Sequence, residues 1–228
     1  MPTESVGAAA LLVFGAGGHG RVVADAALRS GQWPALWASD RDVSRCMGQL
    51  LPGVPLRDPS VSQDFDGPVH VAIGNNAARE KECLALGTQR LATVVHPQAT
   101  VSPHAGVAPG CFVAAQAVVA PGAQLGAGVI VNHGAVVDHD GTVGSYTHIA
   151  PGAVLGGAVR VGVRVLLGSG AVVQPGLSVC DDAVIGAGAA VGRHGTAEFG
   201  DHDHRGAAPF VAESIAVMRA PSSEAWDS

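Results

Sequence analysis

Imidazole is concentrated in one stretch of an otherwise aliphatic chain. Asn132-His133 and Asp138-His139-Asp140 stand in neighbouring blocks of six residues, with Tyr146-Thr147-His148 in the next. A neutral histidine is a suitable general base near pH 7, and a flanking carboxylate can orient the ring and stabilise the imidazolium. His139, bracketed by two aspartates, carries the strongest signal for proton transfer. His148 is a second candidate that could equally cap a turn, and His133 reads as well as surface decoration. Three histidines in one region also raise a zinc site, the competing chemistry. The reading taken here is a general base with no metal.

A second constellation lies near the N-terminus. Gly15-Ala16-Gly17-Gly18-His19-Gly20 fits G-x-G-x-x-G between an apolar run and an amphipathic one, and Asp40 follows about twenty residues on. Glycines at a strand-to-helix turn let backbone N–H groups approach a phosphate. A nucleotide-type ligand is the expectation, against a merely structural tight turn.

The elements that must hold these groups are legible from period. From Val101 to Ile185 an aliphatic residue recurs at every sixth position without a slip. A six-residue period means a parallel β-helix, three hexads to a triangular coil, with the aliphatic pointing into the prism. Small residues and glycine allow the corners. His133 and His139 share the third place of adjacent hexads, so they belong to different corners. Ahead of the repeat, Leu11–Phe14, Trp33–Ala38, Val69–Ile73 and Leu91–Val95 read as strands, and Arg21–Arg29 and Ala77–Leu86 as helices. The expected organisation is a leader over 1–10, a small parallel βαβ domain over 11–96, a β-helix over 97–191 and an irregular tail over 192–228. The domain is short for a full dinucleotide fold, which favours one nucleotide or a nucleotide sugar over NAD.

Composition agrees. Hydrophobic residues make up 47% of the 228, aromatics only 4%, as a prism with no room for rings requires, and 32 glycines supply corners. A net charge of −6 gives no reason to expect nucleic-acid or membrane affinity. The four cysteines form no CxxC pair and are read as reduced thiols of a cytoplasmic protein.

The quoted residues carry a resemblance. VFGAGGHGRVV at Val13–Val23, VAIGNNAAR at Val71–Arg79, VVHPQATVSP at Val94–Pro103 and VNHGAVVDHDGTVGSYTHIAPGAVLGG at Val131–Gly157 resemble the sialic acid O-acetyltransferase-like sugar acyltransferases. These include N-acetyltransferases of nucleotide-linked 4-amino-4,6-dideoxysugars. The resemblance implies a left-handed β-helix, acetyl-CoA as co-substrate, and a homotrimer with active sites between subunits. It implies His139 as catalytic base beside Asp140. Gly15, Gly17, Gly18, His19, Asp40, Gly74, Asn75 and Asn132 would contact the nucleotide sugar. His148, Gly157, Gly168 and Ser169 would contact acetyl-CoA, with the Gly157 N–H on the thioester carbonyl. The acceptor it implies is the 4-amino group of a nucleotide-linked sugar. An O-acetyltransferase of sialic acid or a related sugar, and a non-catalytic nucleotide-sugar-binding trimer, are the alternatives. After Gly192 the chain lacks the family's Pro-rich tail near the CoA adenine, and a shifted reading frame is one explanation of that departure.

Overall fold

A computed structural model describes residues 10–60 and 65–192, together with the backbone of 195–197 and 217–219. The expected leader and most of the tail after Gly192, where the shifted frame was considered, lie outside the described residues. The chain forms a small N-terminal parallel sheet with helices, followed by a parallel β-helix of about five turns, the architecture of the left-handed hexapeptide helices.

The N-terminal sheet has three strands in the order β2 (Leu36–Ser39), β1 (Leu11–Phe14) and β5 (Val69–Val71), all parallel. Every β1 side chain is buried, which is why this strand reads as an unbroken apolar run rather than an alternation. Helix α1 (Gly18–Ser30) covers one face with Val23, Ala24, Ala26 and Ala27, and Gly31 in the left-handed conformation ends it. A short hairpin, β3 (Gln49–Leu51) and β4 (Val54–Pro55), adds to the domain. Helix α2 (Asn76–Leu86) starts on Asn75, whose side chain accepts from the Ala78 N–H.

Leu91 makes only an isolated bridge to Val69. Val94–Val95, read from sequence as the end of a fourth strand, pairs instead with Phe112–Val113 of the prism. The repeat therefore begins with Val95, one hexad ahead of Val101. Pro97 does not interrupt it, because it falls in the turn after that strand.

Each hexad is a two-residue strand and a turn, and equivalent residues stack one coil apart: Val119 on Val137, Val137 on Leu155, Leu155 on Val173. The place-one aliphatics fill the prism, with Val113, Val131, Val137, Ile149, Leu155 and Leu167 at 0% exposure. Each contributes on the order of 1.5–3 kcal/mol of burial. The coils have three faces. The first holds Val94–Val95, Phe112–Val113, Ile130–Val131 and His148–Ile149. The second holds Val118–Val119, Val136–Val137, Val154–Leu155 and Val172–Val173. The third holds Gln124–Leu125, Thr142–Val143 and Arg160–Val161. The fourth place of the hexad takes positive φ. Glycine fills it at 110, 122, 128, 134, 152, 170, 176 and 188, but Gln116, Asp140, Tyr146, Ala158, Arg164 and Asp182 adopt it too.

The N-terminal domain sits on the first face. Phe112, Ala114 and Ile130 pack with Val23, Ala24 and Leu36. Arg164, at the corner between third and first faces, pairs with Glu80 of α2 and with Asp182 one coil on.

Candidate active site

The glycine turn opens onto a cavity of about 390 Å³ lined by Gly15, Gly17, Gly18, His19, Asp40 and Gly74, with Arg41, Arg45 and Glu82 on its rim. Gly15 (φ +121°) and Gly20 are there for packing: a Cβ would come 2.6 Å from the Ala72 carbonyl oxygen in the first case and 1.9 Å from the Gly15 oxygen in the second. Gly18 is different, since a Cβ there would meet nothing. Its bareness leaves room for a ligand. Helix α1 has neither a side-chain cap nor an acidic residue in its first turn, an arrangement that suits an anion at its start. The Asp40 carboxylate takes the Ala16 N–H at 2.7 Å and the Asp42 N–H at 3.0 Å, fixing the turn. Asn75 does not line the cavity; its side chain is spent on the α2 cap. Arg41 forks onto Glu82 at 2.6 and 2.8 Å. Sequence reasoning missed both cations and Glu82, since nothing in their spacing marks them.

Behind the turn stands a cluster of imidazoles. The His19 ring lies 6.3 Å from that of His148 and edge-on to Phe112 at 5.4 Å. The His19 Nε2 is buried without a hydrogen-bond partner among the described residues. Asn132 Nδ2 donates to His148 Nε2 at 3.1 Å, and the Gly74 backbone hydrogen-bonds the same ring. His148 is thereby tied to the solenoid and to the wall of that cavity at once. Burial lowers the pKa of His148 to about 4, with Arg79 adding to it, and of His19 to about 3, with neighbouring imidazoles and Arg79 adding to it. His70, wholly buried with Nδ1 on the Ala92 carbonyl at 2.8 Å, falls to about 4 for the same first reason. All three are neutral at pH 7. Asn132 also accepts the His133 N–H, and His133 is exposed.

His139 has the opposite environment. It stands exposed at the corner between second and third faces, with Nδ1 2.9 Å from Asp140 Oδ2 and its own N–H on Asp138 Oδ1 at 2.7 Å. The hydrogen bond to Asp140, helped by the charge of Asp138, raises its pKa above the ordinary histidine value. Asp140 takes φ +57°, a conformation that aspartate tolerates better than most residues. One coil on, buried Gly157 lies under the ring. A Cβ there would come 2.4 Å from His139 Nε2, so glycine is what lets the imidazole lie down over the next corner. The Gly157 N–H makes no hydrogen bond among the described residues.

Gly168 and Ser169 occupy the corner between first and second faces, above Asn132 and His133. Gly168 is held bare by Ala187, whose N would lie 2.4 Å from an added Cβ, and Ser169 is exposed. The predicted residues thus form two groups. His139, Asp140 and Gly157 share one edge of the second face. Asn132, Gly168 and Ser169 share its other edge, and Asn132 joins that edge to His148 and, through it, to His19 of the glycine turn. A single chain does not bring the two groups together.

Burial pushes the Cys111 thiol up to about 12 and the Cys83 thiol up to about 11, which disqualifies both as nucleophiles. Among the described residues, no three His, Cys, Asp or Glu side chains converge at metal-binding spacing.

Comparisons with known proteins bear on this geometry. Residues 10–83 match the family model described as the PglD N-terminal domain. No curated protein sequence matches the chain. Among solved structures, a histidine-to-asparagine variant of perosamine N-acetyltransferase from Caulobacter crescentus, in complex with CoA and GDP-perosamine, is 32% identical. The match covers 83% of this chain and 90% of that one, with a TM-score of 0.74. The acetyltransferase domain of PglB from Neisseria gonorrhoeae, in complex with acetyl coenzyme A, is also 32% identical, covering 85% of this chain and 100% of that one at a TM-score of 0.61.

Proposed function

The chain belongs to the hexapeptide-repeat sugar acetyltransferases, as an acetyl-CoA-dependent sugar N-acetyltransferase, and we propose that its acceptor is the 4-amino group of a nucleotide-linked amino-dideoxysugar. The observation that carries this reading is the exposed His139–Asp140 pair lying over a glycine that only the imidazole needs bare.

That pair supports direct transfer. The sugar amine attacks the thioester carbonyl, and its proton passes to His139 Nε2 as the C–N bond forms. The Gly157 N–H faces the developing oxyanion. Collapse breaks the C–S bond, and the imidazolium, held by Asp140, returns its proton to the departing thiolate. The two buried thiols named above cannot form an acyl-enzyme. The Caulobacter protein holds CoA and GDP-perosamine together, which supports a ternary complex here.

The acceptor pocket must then come from a neighbouring copy. Of the three faces, the first is covered by the N-terminal domain around Phe112 and Ile130, leaving Val184 exposed at its far end, and the third presents Gln124, Thr142 and Arg160. The second presents a ladder of outward valines, Val118, Val136, Val154 and Val172, the last 40% exposed. Packing three copies through one face about a three-fold axis joins unlike edges of that face. The His139–Gly157 edge of one copy meets the Asn132–Ser169 edge of the next, beside its nucleotide cavity. A trimer with shared sites is part of the proposal, as is a cytoplasmic location, where the donor is acetyl-CoA.

The test is thiol release from acetyl-CoA with GDP-perosamine, other nucleotide-linked amino sugars, and sialic acid. His139→Ala is expected to lose at least about a hundredfold in kcat with little change in KM for the sugar. Near-wild-type turnover in that variant would overturn the assignment. Release with sialic acid alone would favour O-acetylation, and silence with every acceptor would favour a binding protein.

A further inference from the structure

The largest fully buried side chain among the described residues is an arginine that direct transfer leaves unused. Arg79 of α2 is 1% exposed. Its Nε donates to the Gly128 carbonyl at 2.8 Å, Nη1 to Ile73 and Gly74 at 2.8 and 3.1 Å, and Nη2 to Asn76 Oδ1 at 2.9 Å and Tyr146 at 2.6 Å. Every partner is an uncharged oxygen, and no salt bridge reaches it among the described residues. Desolvation lowers its pKa to about 10, so it remains a cation at neutral pH.

A buried guanidinium without a carboxylate is an expensive way to join two domains, since an apolar contact of the same size would serve. Its placement shows what the charge is used for. Ile73 and Gly74 are wall residues of the nucleotide cavity, whereas Gly128 and Tyr146 are solenoid corners. Gly74 is also the group that holds His148. Both solenoid residues are fourth places of their hexads, where positive φ (+64° at Gly128, +60° at Tyr146) turns the corner that faces α2. One planar fork therefore sets the cavity wall, the His148 ring and the coil in a single register.

We infer that Arg79 is a positioning residue for the acceptor: from behind the cavity it fixes the Gly74 wall against the solenoid, so that the wall and the His148 ring stand ready for a nucleotide diphosphate. The inference rests on the nucleotide-sugar reading above, and the test separates the two. GDP, UDP and dTDP are titrated calorimetrically into wild type and Arg79→Lys, which keeps a cation but loses the fork. Asn76→Ala, which removes one partner of the fork, guards against an Arg79 variant that fails to fold.

The nucleotide that binds wild type is expected to bind Arg79→Lys at least about tenfold more weakly, and Asn76→Ala to move the same way by less. In turnover, KM for the nucleotide sugar should rise while KM for acetyl-CoA stays within about twofold. A lowered melting temperature with unchanged nucleotide affinity would make Arg79 merely structural and overturn the inference, as would wild type that binds none of the three nucleotides. If Arg79→Lys does not fold, unchanged nucleotide affinity in Asn76→Ala overturns it. Wild type that binds a nucleotide but acetylates no sugar would defeat the proposed function and leave the affinity comparison to decide on Arg79.

Discussion

At the residue scale, the same side chain has been tuned in two directions. His19, His70 and His148 are desolvated and held neutral, while His139 is left in water beside two aspartates that raise its pKa. A base must be deprotonated to work. Raising the folded pKa of His139 therefore shifts the acid limb of the rate profile above the ordinary histidine value, in exchange for a stronger proton acceptor. The sign can be checked. Asp140→Asn removes the first cause of that rise, so the acid limb of kcat/KM should move to lower pH, while kcat on the plateau falls about tenfold or more as the imidazolium loses its partner. A pH–rate profile with an unmoved limb would show that Asp140 does not act on the base. The His139 constellation was legible in the sequence because aspartates flank it in an aliphatic repeat. Arg79 was not legible: its value comes from carbonyls of residues up to 68 positions away, and a lone arginine in a helix carries no period.

At the element scale, the prism was readable because one interior position repeats every six residues, and a slip would have turned that aliphatic out of the core. The corners were less readable. Small residues were expected there, yet Tyr146 and Arg164 take positive φ; contacts to α2 and to the next coil hold them, and such tertiary support has no local signature. Val94–Val95 was likewise read into the wrong element. A two-residue strand beside Pro97 looks like the end of a sheet until its partner, Phe112–Val113, is known. The valine ladder of the second face yields an element-level expectation. Val154→Arg places a charge at the centre of that face, facing outward, so the fold should survive. Sedimentation should then show monomers in place of trimers, with acetylation lost alongside. A Val154→Arg protein that remains trimeric would move the interface to another face.

At the scale of the whole molecule, the arrangement makes sense only as a division of labour. The N-terminal domain packs on one face and brings the glycine-turn cavity to one edge of the second face, and the solenoid carries His139, the proposed base, to the opposite edge. The distance between them within a chain was invisible in the sequence, where His139 and His148 are close neighbours. A hexad step moves a residue to a different side of the prism, so nearness along the chain says little about nearness in space. Subunit mixing tests the shared site most directly. His139→Ala and a cavity-blocked variant, Gly18→Trp, are each expected to be inactive as pure trimers. Unfolded together and refolded at equal ratio, they should recover about a quarter of wild-type activity, because in a cyclic assembly about one seam in four pairs an intact base with an intact cavity. Mixed trimers confirmed by mass that show no recovery would contradict a site built by two copies, and with it the role given to His139.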